Sequence, residues 1–100
     1  MEQVIKIVIQ RRAKIALRSL QQSEKKQITN ALAQIEIIQP KNLFKMTKLN
    51  KINSFGKDLY IYRGNQRLRL VLSIQDDVCI VEDILDHDKL NRLVANSRQQ

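Results

Sequence analysis

What the chain lacks narrows it first. It holds one cysteine in 100 residues, Cys79, so it has neither an internal disulfide nor a multi-cysteine zinc site. Two glycines and one proline are too few for a linker or a low-complexity segment. There is no tryptophan, and aromatic residues make up 4% of the chain, which argues against an aromatic-rich recognition module. No run approaches the ~18–20 apolar residues of a membrane span. The densest apolar stretch, residues 2–9, is interrupted by Glu2, Gln3 and Lys6, and the start lacks the basic-then-apolar order of a signal peptide. Gly-rich phosphate loops, Walker motifs and G-x-S-x-G elbows are absent. At 43% hydrophobic and 28% charged, the chain is too apolar for a disordered tail. Its length reads as one soluble intracellular domain, residues 1–100, without a boundary or internal repeat.

What the chain has is positive charge, unevenly spread. The net charge is +8. Residues 1–69 carry fifteen basic and four acidic side chains, whereas residues 70–100 carry three basic and six acidic ones. Within 41–69, Lys41, Lys45, Lys48, Lys51, Lys57, Arg63, Arg67 and Arg69 face only Asp58. Such a field favours a polyanion or an acidic protein as partner; the alternative is a solvated face that maintains solubility.

Residues 3–10 alternate with period two and are rich in Val and Ile, which predicts a strand. Ala13, Ala16, Leu17 and Leu20 then form the stripe of a short amphipathic helix. Ser23 followed by Glu24 suits an N-cap, and Ile28, Ala31, Leu32, Ile35 and Ile38 keep helical spacing until Pro40. Two helices joined so closely predict an antiparallel hairpin. Residues 41–57 have no clean period and read as a partly packed connection. From Asp58 the period returns to two. Gly64-Asn65 offers the positive φ values of a tight hairpin, and Leu68, Leu70, Leu72 and Ile74 alternate with Arg67, Arg69, Val71 and Ser73. Asp76-Asp77 makes a second turn before the apolar strand Val78–Val81, and a last helix starts near Asp86 or Asp88. The expected fold class is α+β: an N-terminal strand, a helical hairpin, a three-stranded antiparallel meander and a short C-terminal helix.

Chemistry can sit in few places. Arg67 and Arg69, two apart on the expected strand, would share a face, with Arg63 joining them across the turn as a cluster suited to bidentate phosphate contacts. A polar outer sheet face is the plain alternative. His87, the only histidine, could act as general acid or base, since imidazole titrates near neutral pH. Its acidic neighbours lack the H-x-x-x-H type of spacing that would make a metal site. Tyr60 and Tyr62 could stack on bases or pack beneath the sheet. Cys79 alternates within an apolar strand and reads as a core residue.

Several segments together resemble the RelE/ParE superfamily of toxins from bacterial type II toxin–antitoxin systems, over roughly residues 3–95. The opening strand followed by residues 13–20 (AKIALRSL) is similar to that family's first helix. Residues 45–49 (KMTKL) stand where it has a lysine-leucine segment. Residues 60–67 (YIYRGNQR) look like its alternating strand, glycine turn and arginine, and residues 68–72 with Asp76-Asp77 look like its arginine-led strand and acidic turn. The family arginine falls on Arg67 or on Arg69, and His87 lies at or beside the histidine after the last strand. The resemblance implies a βααβββ fold with a C-terminal helix, a cytoplasmic setting and a cognate acidic antitoxin. It further implies a ribosome-dependent messenger-RNA endonuclease that inhibits translation without metal or small-molecule cofactor. In that branch a ribose 2′-hydroxyl attacks the adjacent phosphate. Arg67 or Arg69 would stabilise the phosphate, His87 would move the proton, and Lys45, Lys48, Lys51 and Arg63 would hold RNA, with Tyr60 and Tyr62 as stacking candidates. The chain departs from the pattern in having Asp88 after the histidine and no late tyrosine. Two further readings therefore stand beside the endonuclease: a ParE-like inhibitor of DNA gyrase and a non-toxic basic binding domain.

Overall fold

The computed structural model describes residues 6–37, 50–53, 58–76 and 78–98. In chain order the elements are β1 (Lys6–Ile9), α1 (Arg11–Arg18), α2 (Gln22–Glu36), β2 (Asn50–Asn53), β3 (Asp58–Arg63), β4 (Leu68–Gln75), β5 (Val78–Asp86) and α3 (His87–Arg98). The strands form one sheet in the order β1-β5-β4-β3-β2. β2 through β5 make an antiparallel meander, and β1 returns to pair parallel with β5, Lys6 opposite Val78 and Ile9 opposite Val81.

The period-two alternation of β4 organises both faces of this sheet. Leu68, Leu70 and Leu72 are buried against Ala13, Ile28, Ala31 and Ile35 of the helical hairpin, with Ile7 and Ile9 of β1 at the margin. On the opposite face Val71 joins Leu59, Ile61 and Leu90, with Leu85 packed beside them, under α3. A strand buried on both faces needs both sets of side chains apolar, and β4 meets that demand along its middle. Its one buried polar residue, Ser73, donates 2.6 Å to Oε2 of Glu82. Glu82 is the extra residue of a bulge: Val71 pairs with Asp83 and Leu72 with Val81, so the register skips it.

The α+β class and the element order stand as expected, with four differences. A fifth strand, β2, lies inside the stretch read as a connection; it pairs with β3 from Asn50 opposite Ile61 to Asn53 opposite Asp58. β5 continues to Asp86 because β4 offers ladder partners as far as Leu68. α2 begins at Gln22 with Gln21 in the cap position and no side-chain cap, so Ser23 lies within the helix. The Gly64-Asn65 turn has no positive φ; among the described non-glycine residues only Asp76, at 55°, is left-handed, where β4 turns into β5. Ile38, Pro40, Lys45 and Lys48 lie outside the described residues.

Candidate functional site

The loop between β3 and β4, residues 64–67, is longer than a two-residue hairpin and is organised by Asn65. Its Oδ1 accepts from the backbone N–H groups of Arg67 (2.9 Å) and Leu68 (2.6 Å), the asparagine-centred turn that this residue type favours. With the oxygen committed, Nδ2 donates to Oε1 of Gln27 at 2.8 Å, tying the loop to α2. Gly64 lets the loop approach that helix: a Cβ there would stand 2.5 Å from Cδ1 of the fully buried Ile28. Close approach, rather than a left-handed backbone, is what requires glycine.

This longer loop separates the two arginines that the sequence places on one face. Arg67 precedes β4 and reaches α2, where Nη2 lies 2.7 Å from Oε1 of Glu24 and Nε 3.0 Å from Oε2. The pair is bidentate. Arg67's hydrogen bond holds the Glu24 carboxyl below the usual carboxylate range, and the same bond raises the Arg67 guanidinium. Glu24 therefore answers the positive first turn of α2 less than it clasps the loop. Nothing in the local sequence signals this contact across 43 positions.

Arg69 is on β4, directly opposite Arg63 of β3 and opposite Leu85 of β5. Directly opposed residues share a face, and Leu85 belongs to the α3 side, so Arg63 and Arg69 form a like-charge pair at the end of that face. Arg69 is half-buried; its Nη1 donates to the carbonyls of Asn65 (2.8 Å), Leu68 (3.0 Å) and Gln66 (3.3 Å). Arg63 is exposed, and its Nε donates to the same Asn65 carbonyl at 3.4 Å. Burial, and then the facing charge of Arg63, lower the Arg69 pKa. Among the described residues these are all the hydrogen bonds either guanidinium makes. Arg69 thus keeps its Nε/Nη2 edge and Arg63 its Nη1/Nη2 edge, each a fork matched to an anion.

His87 opens α3 at the same end of the sheet. Its backbone N–H donates to the carbonyl of Arg67 at 2.9 Å, and its exposed ring lies with Nδ1 3.2 Å from the Asn91 amide. Asp86 caps the helix through the Lys89 N–H (2.8 Å), and that bond, with nearby Lys89, Arg67 and Arg92, holds its carboxyl low. The loop therefore links Arg67, Arg69 and His87 through backbone bonds.

The remaining candidates lie elsewhere. Tyr62 is buried in the hairpin-side core, its hydroxyl donating to Oε1 of Gln34 at 3.3 Å, and burial raises its pKa. Tyr60 is half-buried against the same cluster, so neither ring forms an open stacking platform on the arginine face. Lys51 sits in β2 opposite Tyr60. Cys79 is fully buried with its thiol pushed up to about 11 by burial, the signature of a core residue rather than a nucleophile. Among the described residues no three His, Cys, Asp or Glu side chains gather as metal ligands, and no helix is long and apolar enough to cross a membrane.

No family model matches the chain, and no curated protein matches it. Solved structures do. An archaeal RelE–RelB complex from Pyrococcus horikoshii OT3 contains a chain that aligns with a TM-score of 0.65 at 18% identity, over 84% of this chain and 96% of that one. A conserved hypothetical protein from Helicobacter pylori, solved in solution, aligns at 0.59 and 16% identity, over 86% and 98%. A copper-bound mutant toxin from Helicobacter pylori aligns at 0.51 and 16% identity, again over 86% and 98%. At these identities the likeness establishes architecture: the chain has the RelE-like toxin fold.

Proposed function

We propose that the chain is the toxin of a toxin–antitoxin pair and acts as a ribosome-dependent messenger-RNA endonuclease, a single domain working in the cytoplasm without metal or cofactor. The observation that carries the reading is the pair of free guanidinium edges at Arg63 and Arg69. Like charges directly opposed on a sheet cost stability, and here they are gathered onto one carbonyl instead of being separated. An anion relieves that cost.

In this reading Arg69, anchored through Nη1, supplies the fixed edge for the scissile phosphate, and Arg63 supplies the mobile one. The 2′-hydroxyl oxygen forms a bond to phosphorus as the bond to the 5′-oxygen breaks, giving a cyclic phosphate and a 5′-hydroxyl. His87 takes the 2′-hydroxyl proton or returns one to the leaving oxygen. Preorganised cations are worth about 3–4 kcal/mol each to such a transition state. Arg67 serves through its backbone, positioning His87, while its side chain is held by Glu24. Lys45, Lys48 and Lys51 extend the positive field along the message. The acidic partner is a cognate antitoxin, a reading supported by the RelE–RelB complex among the structural neighbours.

The test adds purified protein to a bacterial translation reaction and maps the message by primer extension, with Arg63→Ala and Arg69→Lys variants alongside. Discrete ribosome-dependent cuts, reduced about 100-fold or more by Arg63→Ala at unchanged melting temperature, are expected. Intact message in a translating reaction overturns the reading. A supercoiling assay then separates gyrase inhibition from a non-toxic binding domain.

A further inference from the structure

On the hairpin side of the β3–β4 loop, a groove of about 320 Å³ runs between α2 and the loop. Gln27, Asn30 and Gln34 line one wall, Arg63 and Asn65 the other, and the buried Ala31 and Tyr62 form the floor with Gly64. The volume falls within the range of small-molecule pockets, and the spacing 27, 30, 34 puts three amides in a row on one helical face.

Two of those amides have a defined orientation. Asn65 spends its oxygen on two backbone N–H groups, so its Nδ2 must donate, and Gln27 must turn Oε1 toward it. The Tyr62 hydroxyl likewise takes Oε1 of Gln34. Both glutamines are therefore left with Nε2–H groups for a ligand. Between them the exposed Asn30 makes no hydrogen bond among the described residues, so its amide is free to accept. The wall offers donor, acceptor, donor.

We propose that this groove seats one unstacked uracil of an RNA strand, O2 and O4 accepting from the Gln27 and Gln34 amides and N3–H donating to Oδ1 of Asn30. Of the four RNA bases only uracil presents acceptor, donor, acceptor along its pairing edge, and unstacked bases are what proteins read in RNA. Because Arg63 belongs to both the groove and the arginine pair, the seated base adjoins the phosphate held there. A peptide strand, which alternates donors and acceptors along its length, does not match two flanking donors. The inference rests on the endonuclease reading and assigns its base preference.

The test is an NMR titration of the 15N-labelled full chain with the 3′-monophosphates of uridine, cytidine, adenosine and guanosine, and with inorganic phosphate. Uridine monophosphate is expected to shift the side-chain NH2 signals of Gln27, Asn30 and Gln34 and the backbone amides of Gly64 and Asn65. It should bind about tenfold more tightly than the others. Asn30→Leu/Gln34→Leu, at exposed helix positions, should bring it down to the level of inorganic phosphate without changing the melting temperature. Equal affinity for all four nucleotides, or a uridine preference that survives in the double variant, overturns the proposal. Cleavage is read separately: cuts without a uridine preference sink the groove alone, and a uridine preference without cuts sinks the endonuclease alone.

Discussion

The two faces of the sheet are built from the same strand and serve different ends. Toward the hairpin, eleven buried residues from both helices and three strands close a continuous core; toward α3 only four do. β4 supplies leucines to the first and Arg69, Val71 and Ser73 to the second. Where packing is thick, every polar group is excluded or satisfied. Where it is thin, two like charges sit opposite each other at the sheet's end and meet solvent. The stable face is thus the platform, and the sparsely packed face carries the anion-binding chemistry.

The largest expected effect tests that contrast. Leu70→Ala, in the hairpin core, should cost about 4 kcal/mol and Leu90→Ala, in the smaller cluster, about 2 kcal/mol, read from urea denaturation. Equal losses would erase the difference between the faces. Gly64→Ala should cost about 2 kcal/mol by pushing the loop off Ile28, since overpacking at a close approach forces neighbours to shift. Wild-type stability in that variant would mean the loop is not held against α2. Asn65→Ala should cost about 1–2 kcal/mol by stripping two backbone N–H groups of their acceptor. Its His87 and Asn91 NMR signals should also move, because the loop backbone supports the start of α3.

The smallest effect concerns the solvent-exposed clasp. Glu24 has its pKa depressed in the folded protein by Arg67, so the clasp contributes above the unfolded-state carboxyl pKa and is lost as pH falls through the lowered folded value. Glu24→Gln should flatten the acid side of the stability–pH curve and leave neutral pH almost untouched. An unchanged acid limb would show that the pair carries no linkage.

Legibility in the sequence follows the range of the interaction. The alternation of β4, the stripes of α1 and α2 and the acidic turn at Asp76 are local patterns, and each appears where its period puts it. β2 has no such pattern: its four residues, NKIN, become a strand only because β3 provides a ladder. Arg67 and Arg69 look equivalent at a spacing of two, but the loop's length is set by contact with Ile28 and Gln27, more than 35 positions away. Asn65 and Glu24 were for that reason invisible as site-builders, although an asparagine after glycine marks a turn. Arg63 and His87 were legible as chemistry; their relation to Arg69 was a matter of register.

β1 pairs with β5 although Lys6 and Val78 are separated by most of the chain. During synthesis the first strand and both helices leave the ribosome long before their partner exists. Until the segment Val78–Asp86 emerges, the apolar side of the hairpin has only part of its cover and β1 has no neighbour at all. Contacts of such high sequence separation slow folding and prolong the exposure of an unpaired edge. A chain stalled before residue 78 therefore lacks the strand at the junction of the sheet, and with it any route to the arginine pair's finished setting. Activity can appear only after nearly the whole message has been read.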